Sequence, residues 1–245
     1  MTRPTMFWMV LLLATGCAQP VINCTSAHGY FAVEYVLTQG DPASSCGQLE
    51  GDVLGMQTYP QPGGKNGTPD YRNAIVAIRP ESLGAMIKYA TDRGAIDGDD
   101  VSPNANALGK FGQGFPTDDD FCLVDRVQRA SVSLPEIEAV PDDPNTPDED
   151  ESQPAQPAAE IAYQWSRARF VVSADAQGTQ FEADLEYTRD GCTASYHAVG
   201  LYPAVSCESD AECDDDKNGI NPDFAVRCNT ELGLCVLDGP LPAYE

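Results

Sequence analysis

The chain has 245 residues, and 38 acidic against 14 basic side chains give it a formal net charge of −24 at pH 7. The length is enough for one large or two small domains. So strong a negative charge repels nucleic acid and anionic membrane surfaces, so no nucleic acid is expected as a partner.

Residues 1–16 are predicted to be a secretory signal peptide. Arg3 provides a positive start, and an apolar run of nine residues extends from Met6 to Ala14. A membrane-spanning helix needs about 20 apolar residues, so this run is too short to be one. A charged start, a short apolar run and small residues after it are typical of a secretory signal.

The tetrapeptide Ala14-Thr15-Gly16-Cys17 resembles the lipobox of bacterial lipoproteins, although the commonest lipobox has Leu at the position of Ala14. The resemblance implies cleavage before Cys17, a diacylglycerol on its thiol and acylation of its amine, with residues 17–23 as a lipidated tether. Acyl chains of this kind hold a protein firmly on a membrane. Ala18 follows the cysteine instead of Asp, which in Gram-negative relatives favours the outer membrane, on either its periplasmic or its surface face.

Eight cysteines remain after Cys17, and an even number in an exported chain indicates disulfides. They form two sets of four, one in residues 24–204 and one in residues 205–238, and three pairings are possible within each set. The predicted disulfides are Cys24–Cys46, Cys122–Cys192, Cys207–Cys228 and Cys213–Cys235.

Residues 24–204 are predicted to form a β domain, because short apolar runs and alternating apolar and polar residues recur along them. The predicted strands are His28–Leu37, Val53–Tyr59, Asn73–Ile78, one or two in Phe121–Val140, and one in Ile161–Ala174.

The period changes after the third strand. Four apolar residues follow the i, i+3, i+4, i+7 spacing of an amphipathic helix: Leu83, Met86, Ile87 and Ala90. Pro80 stands at the predicted start of this helix, and Gly94 stands just past its end. The polar stretch Ala95–Asp120 is predicted to be a loop, and loops of this length in compact domains are often functional.

The segment 141–159 is predicted to be a disordered loop between two strands. It contains six acidic residues and no basic one, so its charges repel one another and little apolar surface is available to order it. We expect a solvated spacer, with an acidic docking segment as the alternative.

Residues 167–201 are predicted to form a three-stranded antiparallel meander. A four-residue loop at 175–178 sets apolar residues and opposite charges across from each other, and Asp190-Gly191 is a strong two-residue hairpin signal. The predicted pairs of the first hairpin are Val172–Phe181, Phe170–Ala183, Arg169–Asp184 and Arg167–Glu186. Those of the second are Leu185–Tyr196, Tyr187–Ala194 and Asp184–His197.

Arg169, Asp184 and His197 form a predicted row across the solvent face of this meander, with Ser195 two residues from His197. The row resembles part of a catalytic relay, but residues two apart in a strand are about 7 Å apart, too far for a Ser–His hydrogen bond. The sequence also lacks the Gly-x-Ser-x-Gly and His-Glu-x-x-His patterns of serine hydrolases and zinc proteases. We therefore expect a solvated row of charges and no catalytic residue.

The segment 205–238 is predicted to be a small module, followed by a tail at 239–245. Its cysteine spacing, C-x5-C-x14-C-x6-C, resembles small cysteine-rich modules of myxobacterial and related exported proteins. The resemblance implies an extracellular module stapled by disulfides and carries no activity with it. A module of this size cannot be held together by core burial alone, and the disulfides are therefore required.

Residues 214–219, Asp-Asp-Asp-Lys-Asn-Gly, resemble the opening of a calcium-binding loop, in which alternating oxygens surround the ion and the glycine permits the turn. The predicted ligands are Asp214, Asp216, Asn218 and Asp223. Ala225 stands where such loops have a bidentate Glu, and Asp223 is the nearest substitute. The alternative is an acidic turn screened by salt, and no other cofactor is expected.

These elements predict a mainly β fold: an antiparallel sandwich or open barrel of about seven strands with one helix, plus the C-terminal module. We expect a lipid-anchored cell-envelope protein with a non-enzymatic binding or structural role and with a protein or a glycan as its partner. The alternative is an exported hydrolase with its site near the loop at 95–120. A deep polar cleft beside that loop would favour the enzyme, and a flat sheet face would favour the binding module.

Overall fold

A computed structural model describes residues 21–63, 66–142 and 152–244 of the chain. The predicted signal peptide 1–16 and the predicted lipidation site Cys17 lie outside the described residues. Nine strands of the described chain belong to one antiparallel sheet. They are β1 (Gly29–Gln39), β2 (Gly51–Gly63), β3 (Thr68–Pro80), β4 (Ala107–Lys110), β5 (Phe121–Arg126), β6 (Ala130–Leu134), β7 (Ala159–Val172), β8 (Gln177–Arg189) and β9 (Cys192–Leu201). The other elements are helices α1 (Glu81–Asp92), α2 (Gly98–Val101) and α3 (Asp210–Cys213), a 3₁₀ turn (Ser102–Ala105), and the hairpin strands β10 (Val226–Asn229) and β11 (Leu234–Leu237).

The nine-stranded sheet closes almost completely into a barrel. Its strands follow the order β4-β3-β2-β1-β9-β8-β7-β5, and β6 pairs with the part of β7 that β5 does not cover. At the seam between the end strands, Gly112 donates its backbone N–H to the Leu123 carbonyl (2.9 Å), and Gln128 donates to Leu108 (2.7 Å). Closure of this kind removes exposed sheet edges. The predicted mainly β fold is confirmed in its barrel form, with nine strands in the sheet instead of about seven.

The barrel interior is a packed hydrophobic core. Successive side chains alternate between inside and outside along each strand, so that every second residue reaches the core. Large side chains that are fully buried there include Phe31, Leu54, Ile78, Trp165, Phe170, Phe181 and Tyr196. The predicted helix is present as α1, and it adds Leu83, Ile87 and Ala90 to the same core. The barrel is therefore filled by its own side chains.

Helix α1 is joined to the barrel by Asp52 of β2. The helix begins after Pro80, whose side chain makes no capping hydrogen bond. The Asp52 carboxylate replaces the cap: one oxygen accepts the Ser82 N–H at 3.3 Å and the other accepts the Ser82 hydroxyl. Burial raises the pKa of Asp52, and the hydrogen bonds from Ser82 act against that shift.

The segment 95–120 contains regular structure in its first part, between residues 98 and 110, which corrects the prediction of a loop over its whole length. It contains α2, the 3₁₀ turn and the end strand β4. Ala105, Ala107 and Phe111 from this segment are buried in the core. β4 has only four residues, two of which face inward, and an alternation this short is not recognisable in a sequence.

The acidic segment rejoins the sheet earlier than predicted. Its bridged pairs are Gln153–Val140 and Gln156–Ile137. Hydrogen bonds between backbones order this part of the chain without a large buried apolar surface. This pairing corrects the prediction of disorder over 141–159 for residues 152–159, while residues 143–151 lie outside the described residues.

One of the two predicted hairpin registers is correct. In the β8–β9 hairpin, Asp184 lies opposite His197, as predicted. In the β7–β8 hairpin, Arg169 lies opposite Glu182, because the loop lies at 173–176 instead of 175–178 and the pairing shifts between Val171 and Val172. A bulge at Arg167 (φ +50°) shifts the register once more farther from the loop. The predicted pairs Val172–Phe181, Phe170–Ala183, Arg169–Asp184 and Arg167–Glu186 are therefore wrong.

One disulfide ties each end of the barrel. Cys24, just before β1, is bonded to Cys122 at the start of β5. Cys46, between β1 and β2, is bonded to Cys192 at the start of β9. The predicted pairs Cys24–Cys46 and Cys122–Cys192 are wrong because the members of each pair lie at opposite ends. The 11 residues of β1 alone separate the two ends by about 35 Å.

The C-terminal residues 205–244 pack on the outer face of the barrel. Their disulfides are Cys207–Cys228 and Cys213–Cys235, as predicted. The buried side chain of Gln180 in β8 exchanges two hydrogen bonds with the backbone of Ala243. Arg227 forms an ion pair with Glu34 of β1 at 2.8 Å. The module and the tail therefore share a hydrophobic cluster with the barrel instead of standing apart from it.

Removing the disulfide between Cys46 and Cys192 should lower the free energy of unfolding by about 2–5 kcal/mol, since the bond joins residues 146 apart in sequence. Chemical denaturation of the Cys46→Ala/Cys192→Ala variant measures this loss. The matched control is Cys207→Ala/Cys228→Ala, whose loss should be smaller because only 21 residues separate its members. A non-reduced peptide that links Cys24 to Cys46 would contradict the arrangement.

Asp52 should make folding less favourable as the pH rises. Because its pKa is higher in the folded than in the unfolded protein, the folded protein binds more protons. The stability that protonated Asp52 contributes is present below the unfolded pKa of about 3.9 and is lost as the pH rises through the folded pKa. The free energy of unfolding of the wild type minus that of Asp52→Asn should therefore fall between about pH 3 and pH 7. A difference that is constant over this range would contradict the burial of an ionised carboxylate.

Candidate binding groove

The predicted row of charges on the outer face of β7–β9 is an ion-pair network. Arg169 pairs with Glu182, and Arg167 pairs with Asp184. His197 lies between the two carboxylates, with Nδ1 3.7 Å from Asp184 Oδ1 and Nε2 4.0 Å from Glu182 Oε2. These side chains line a shallow cavity of about 340 Å³. Both carboxylates that face the histidine are already paired with arginines.

Ser195 does not join this network as a nucleophile. It lies opposite Glu186 of β8, whereas His197 lies opposite Asp184. Residues two apart on one strand face the same side at about 7 Å, so the Ser195 hydroxyl is out of hydrogen-bond reach of the imidazole. The row therefore has the geometry of a surface salt-bridge network.

The predicted calcium ligands are not gathered around one point. The Asn218 oxygen accepts the Ile220 N–H at 2.8 Å, and its amide donates to the Cys213 carbonyl at 2.7 Å, so this side chain stabilises a turn. Asp214, Asp216 and Asp223 do not form a cluster of candidate ligands within the described chain. The cluster found there consists of Cys207, Cys213 and Cys228, whose sulfurs are already in disulfides. Calcium binding stays a prediction.

A groove lies on the outer face of the barrel, where β1, β2 and β3 meet α1. Its centre is a row across the three strands, with Gly55 opposite Tyr30 on one side and opposite Arg79 on the other. Two cavities, of about 520 Å³ and 310 Å³, share these three residues. The larger one extends along α1, and the smaller one extends along β2. We call this surface the Tyr30–Arg79 groove.

Two glycines keep the groove open. Gly55 forms its floor, where a Cβ would stand 3.9 Å from the Tyr30 ring and fill the space above the strand. Gly84 lies within α1, where a Cβ would stand 3.4 Å from Nε of Arg79. Glycine inside a helix costs about 0.8–1.0 kcal/mol relative to alanine. Gly84 lowers the stability of the helix, and the space that it leaves in the groove explains why it is there.

Tyrosine side chains stand at both ends of the smaller cavity. Tyr30 is 60% exposed and Tyr59 is 48% exposed. Tyr59 is four residues beyond Gly55 on β2, which places the two tyrosines about 13 Å apart along the strand direction. The amide side chain of Gln57 lies between them on β2, and that of Asn106 lines the same cavity beside Arg79. Rigid aromatic faces with amides beside them are suited to contact a ligand that is partly apolar and partly polar.

Arg79 gives the groove a cation that is not neutralised. Its guanidinium donates to the Ser102 hydroxyl at 2.9 Å, which fixes its position. Within the described part of the chain, no carboxylate oxygen lies within 4.0 Å of this guanidinium, in contrast to Arg167, Arg169 and Arg227. Other described arginines, among them Arg72 and Arg93, also lack an ion pair, but they do not line the groove.

Sequence analysis missed this groove because its residues come from distant parts of the chain. Tyr30 was recognisable only as the outward neighbour of Phe31, and Gly55 and Gly84 as glycines inside a strand and a helix. The segment 95–120, the predicted place of a hydrolase site, contributes Asn106 to the groove.

Among the residues that the structure describes, no helix is long and apolar enough to cross a membrane. The family model for MlpA matches residues 29–203, the part of the chain that forms the barrel and carries the groove. Over 252 aligned residues, the chain is 27% identical to "Putative lipoprotein MlpA" of Myxococcus xanthus, covering 95% of this chain and 93% of that protein. No solved structure matches the chain significantly. Because the family model covers most of its length, the chain belongs to the MlpA family.

Proposed function

We propose that this protein is a lipid-anchored, non-enzymatic binding protein of the cell envelope and that it binds its ligand in the Tyr30–Arg79 groove. The observation that carries the proposal is the pair of glycines, Gly55 and Gly84, which hold a groove open between exposed tyrosine and unpaired arginine side chains. Tyr and Arg are the residue types that most often dominate binding energy at interfaces.

The lipid anchor has support from the chain and from its relative. Ala14-Thr15-Gly16-Cys17 resembles a lipobox, and the related protein of Myxococcus xanthus is named as a lipoprotein. Residues 1–16 would be the signal peptide, and Ala18 favours the outer membrane. From Cys17 to Cys24 there are seven residues, which span at most about 25 Å. The Cys24–Cys122 disulfide would therefore hold the barrel close to the membrane.

A binding role agrees better than catalysis with the chemistry of the described residues. The histidine on the β7–β9 face lies between carboxylates that are paired with arginines, and Ser195 is out of its reach. The groove itself is lined by tyrosine, arginine, glutamine and asparagine, which recognise ligands by stacking and hydrogen bonding.

Cys17→Ser should abolish lipidation and processing completely, because serine has no thiol to accept the diacylglycerol. Mass analysis of the mature N-terminus checks this, and the wild type should show an acylated Cys17. Thr15→Ser is the control, since it keeps a small residue before the cysteine and should be processed normally. A mature chain that begins at Ala18 or later would refute the anchor.

A photo-crosslinking side chain can test the groove without knowledge of the ligand. In cells that make the full-length protein, p-benzoylphenylalanine in place of Gln57 should form a crosslinked species upon irradiation. The same group in place of Tyr71, which is 53% exposed on β3 but lines neither cavity, should not form that species.

Filling the groove floor should remove most of that crosslink. Gly55→Val adds a side chain at ordinary contact distances, and valine favours strands, so the melting temperature should not fall. Gly112→Val is the control, because a Cβ there is 3.7 Å from the nearest atom and lies outside the groove. An undiminished crosslink in Gly55→Val would refute the proposed site.

A further inference from the structure

We infer that the ligand of the Tyr30–Arg79 groove is an acidic polysaccharide, that is, a chain of pyranose rings with carboxylate groups. This inference rests on the proposed function and names the ligand class of the same site. It comes from a second row of side chains that repeats the chemistry of the first.

The second row crosses β2, β3 and β4. Tyr59 lies opposite Ile75, and Ile75 lies opposite Lys110. The first row, Tyr30–Gly55–Arg79, has the same order one strand away: a tyrosine, then a residue without polar side-chain atoms, then a cation. All six positions lie on the outer face, because the residues next to them along the strands face the core.

Each row offers a stacking face and a positive charge. The exposed tyrosine rings present flat π faces on strands that the barrel holds rigid, and the C–H face of a pyranose ring packs well on such a surface. Within the described residues, no carboxylate lies within 4.0 Å of Arg79 or of Lys110. Asp70 acts on Lys110 only from beyond this distance, so a carboxylate on the ligand would supply a direct charge partner in both rows.

The spacing of the two rows requires a polymer. Along β2, four residues separate Gly55 from Tyr59, which is about 13 Å. A single sugar ring does not reach across this distance, whereas a chain of several rings does. Between the rows, the amide of Gln57 can donate to and accept from ring hydroxyl groups.

Other polymers fit this surface less well. A peptide that adds a strand needs an open sheet edge, but the β4 edge is used at the seam, where Leu108 accepts the Gln128 N–H. The net charge of −24 and Glu81, which also lines the groove, oppose binding of any polyanion, so contacts with the two cations and the tyrosine rings have to outweigh this repulsion. A neutral polysaccharide would cover the two cations without pairing them, which is unfavourable.

The probes are polygalacturonate, a polymer of uronic acid rings, and its fully methyl-esterified form, which has the same rings without charge. Calorimetric titration of the full-length mature protein in detergent micelles should show binding of polygalacturonate. The ester should bind about tenfold more weakly or worse, as expected for the loss of charge-assisted contacts. Polyglutamate carries the same charged group on a peptide backbone and should bind as weakly as the ester.

Variants of each row have matched controls. Arg79→Gln and Lys110→Gln should each weaken polygalacturonate binding about tenfold and leave ester binding unchanged. The control Arg72→Gln should have no effect, because Arg72 contacts the Phe115 ring outside the groove. Tyr30→Ala and Tyr59→Ala should weaken the binding of both polymers, and Tyr71→Ala should weaken neither. Melting temperatures establish that each variant is folded.

The outcomes separate this inference from the proposed function. The inference is overturned if the ester or polyglutamate binds as tightly as polygalacturonate. It is also overturned if polygalacturonate does not bind. If the Gln57 crosslink then persists and mass analysis of its tryptic digest finds peptides of a second protein, the groove binds a protein and the proposed function stands. If the Gln57 crosslink is absent or unaffected by Gly55→Val, the proposed function fails as well.

Discussion

Closure of one sheet on itself is the constraint on which the rest of the molecule depends. The two end strands are short, with four residues in β4 and six in β5, and few backbone hydrogen bonds join them. Once they meet, the inward side chains of nine strands share a single core, and α1 covers the end at which β3 finishes. An open sheet of the same strands would leave two unpaired edges and an uncovered apolar face.

Closure also divides the outer surface into two parts with different uses. On β8, the C-terminal residues cover the sheet, and Gln180 is fully buried between the layers. The C-terminal residues also reach Glu34 of β1 and Gly51 of β2, but Tyr30 and Tyr59 remain about half exposed. Natural sequences depart from local structural preference mainly at functional sites, and Gly84 in the middle of α1 is such a departure. The groove therefore combines exposed tyrosines of the sheet with a glycine that lowers the stability of the helix.

The sequence predicts those features that depend on neighbours in the chain. The β8–β9 register is correct because Asp190 and Gly191, with φ of +52° and +81°, form a two-residue turn that allows one register. The β7–β8 register is wrong because the loop lies at 173–176 instead of 175–178 and the pairing shifts between Val171 and Val172, which no residue pattern in the sequence indicates. The pairing Cys207–Cys228 concerns 21 residues of one small module, whereas Cys24–Cys122 depends on which strand ends meet. The groove belongs to this second class, since the barrel brings together residues 30, 55, 79 and 84.

The disulfide between Cys24 and Cys122 would have a mechanical consequence if the proposed lipid anchor holds the protein by its N-terminus. In the order of the sheet, β9, β8 and β7 lie between β1 and β5, so the bond bridges strands that are not neighbours. A pull on the N-terminal segment is therefore shared by two separate strands and cannot peel β1 away one hydrogen bond at a time. Force along the strands loads many hydrogen bonds in parallel, so the barrel would resist tension at its anchor as a unit. In a reducing medium the same pull would reach β1 alone.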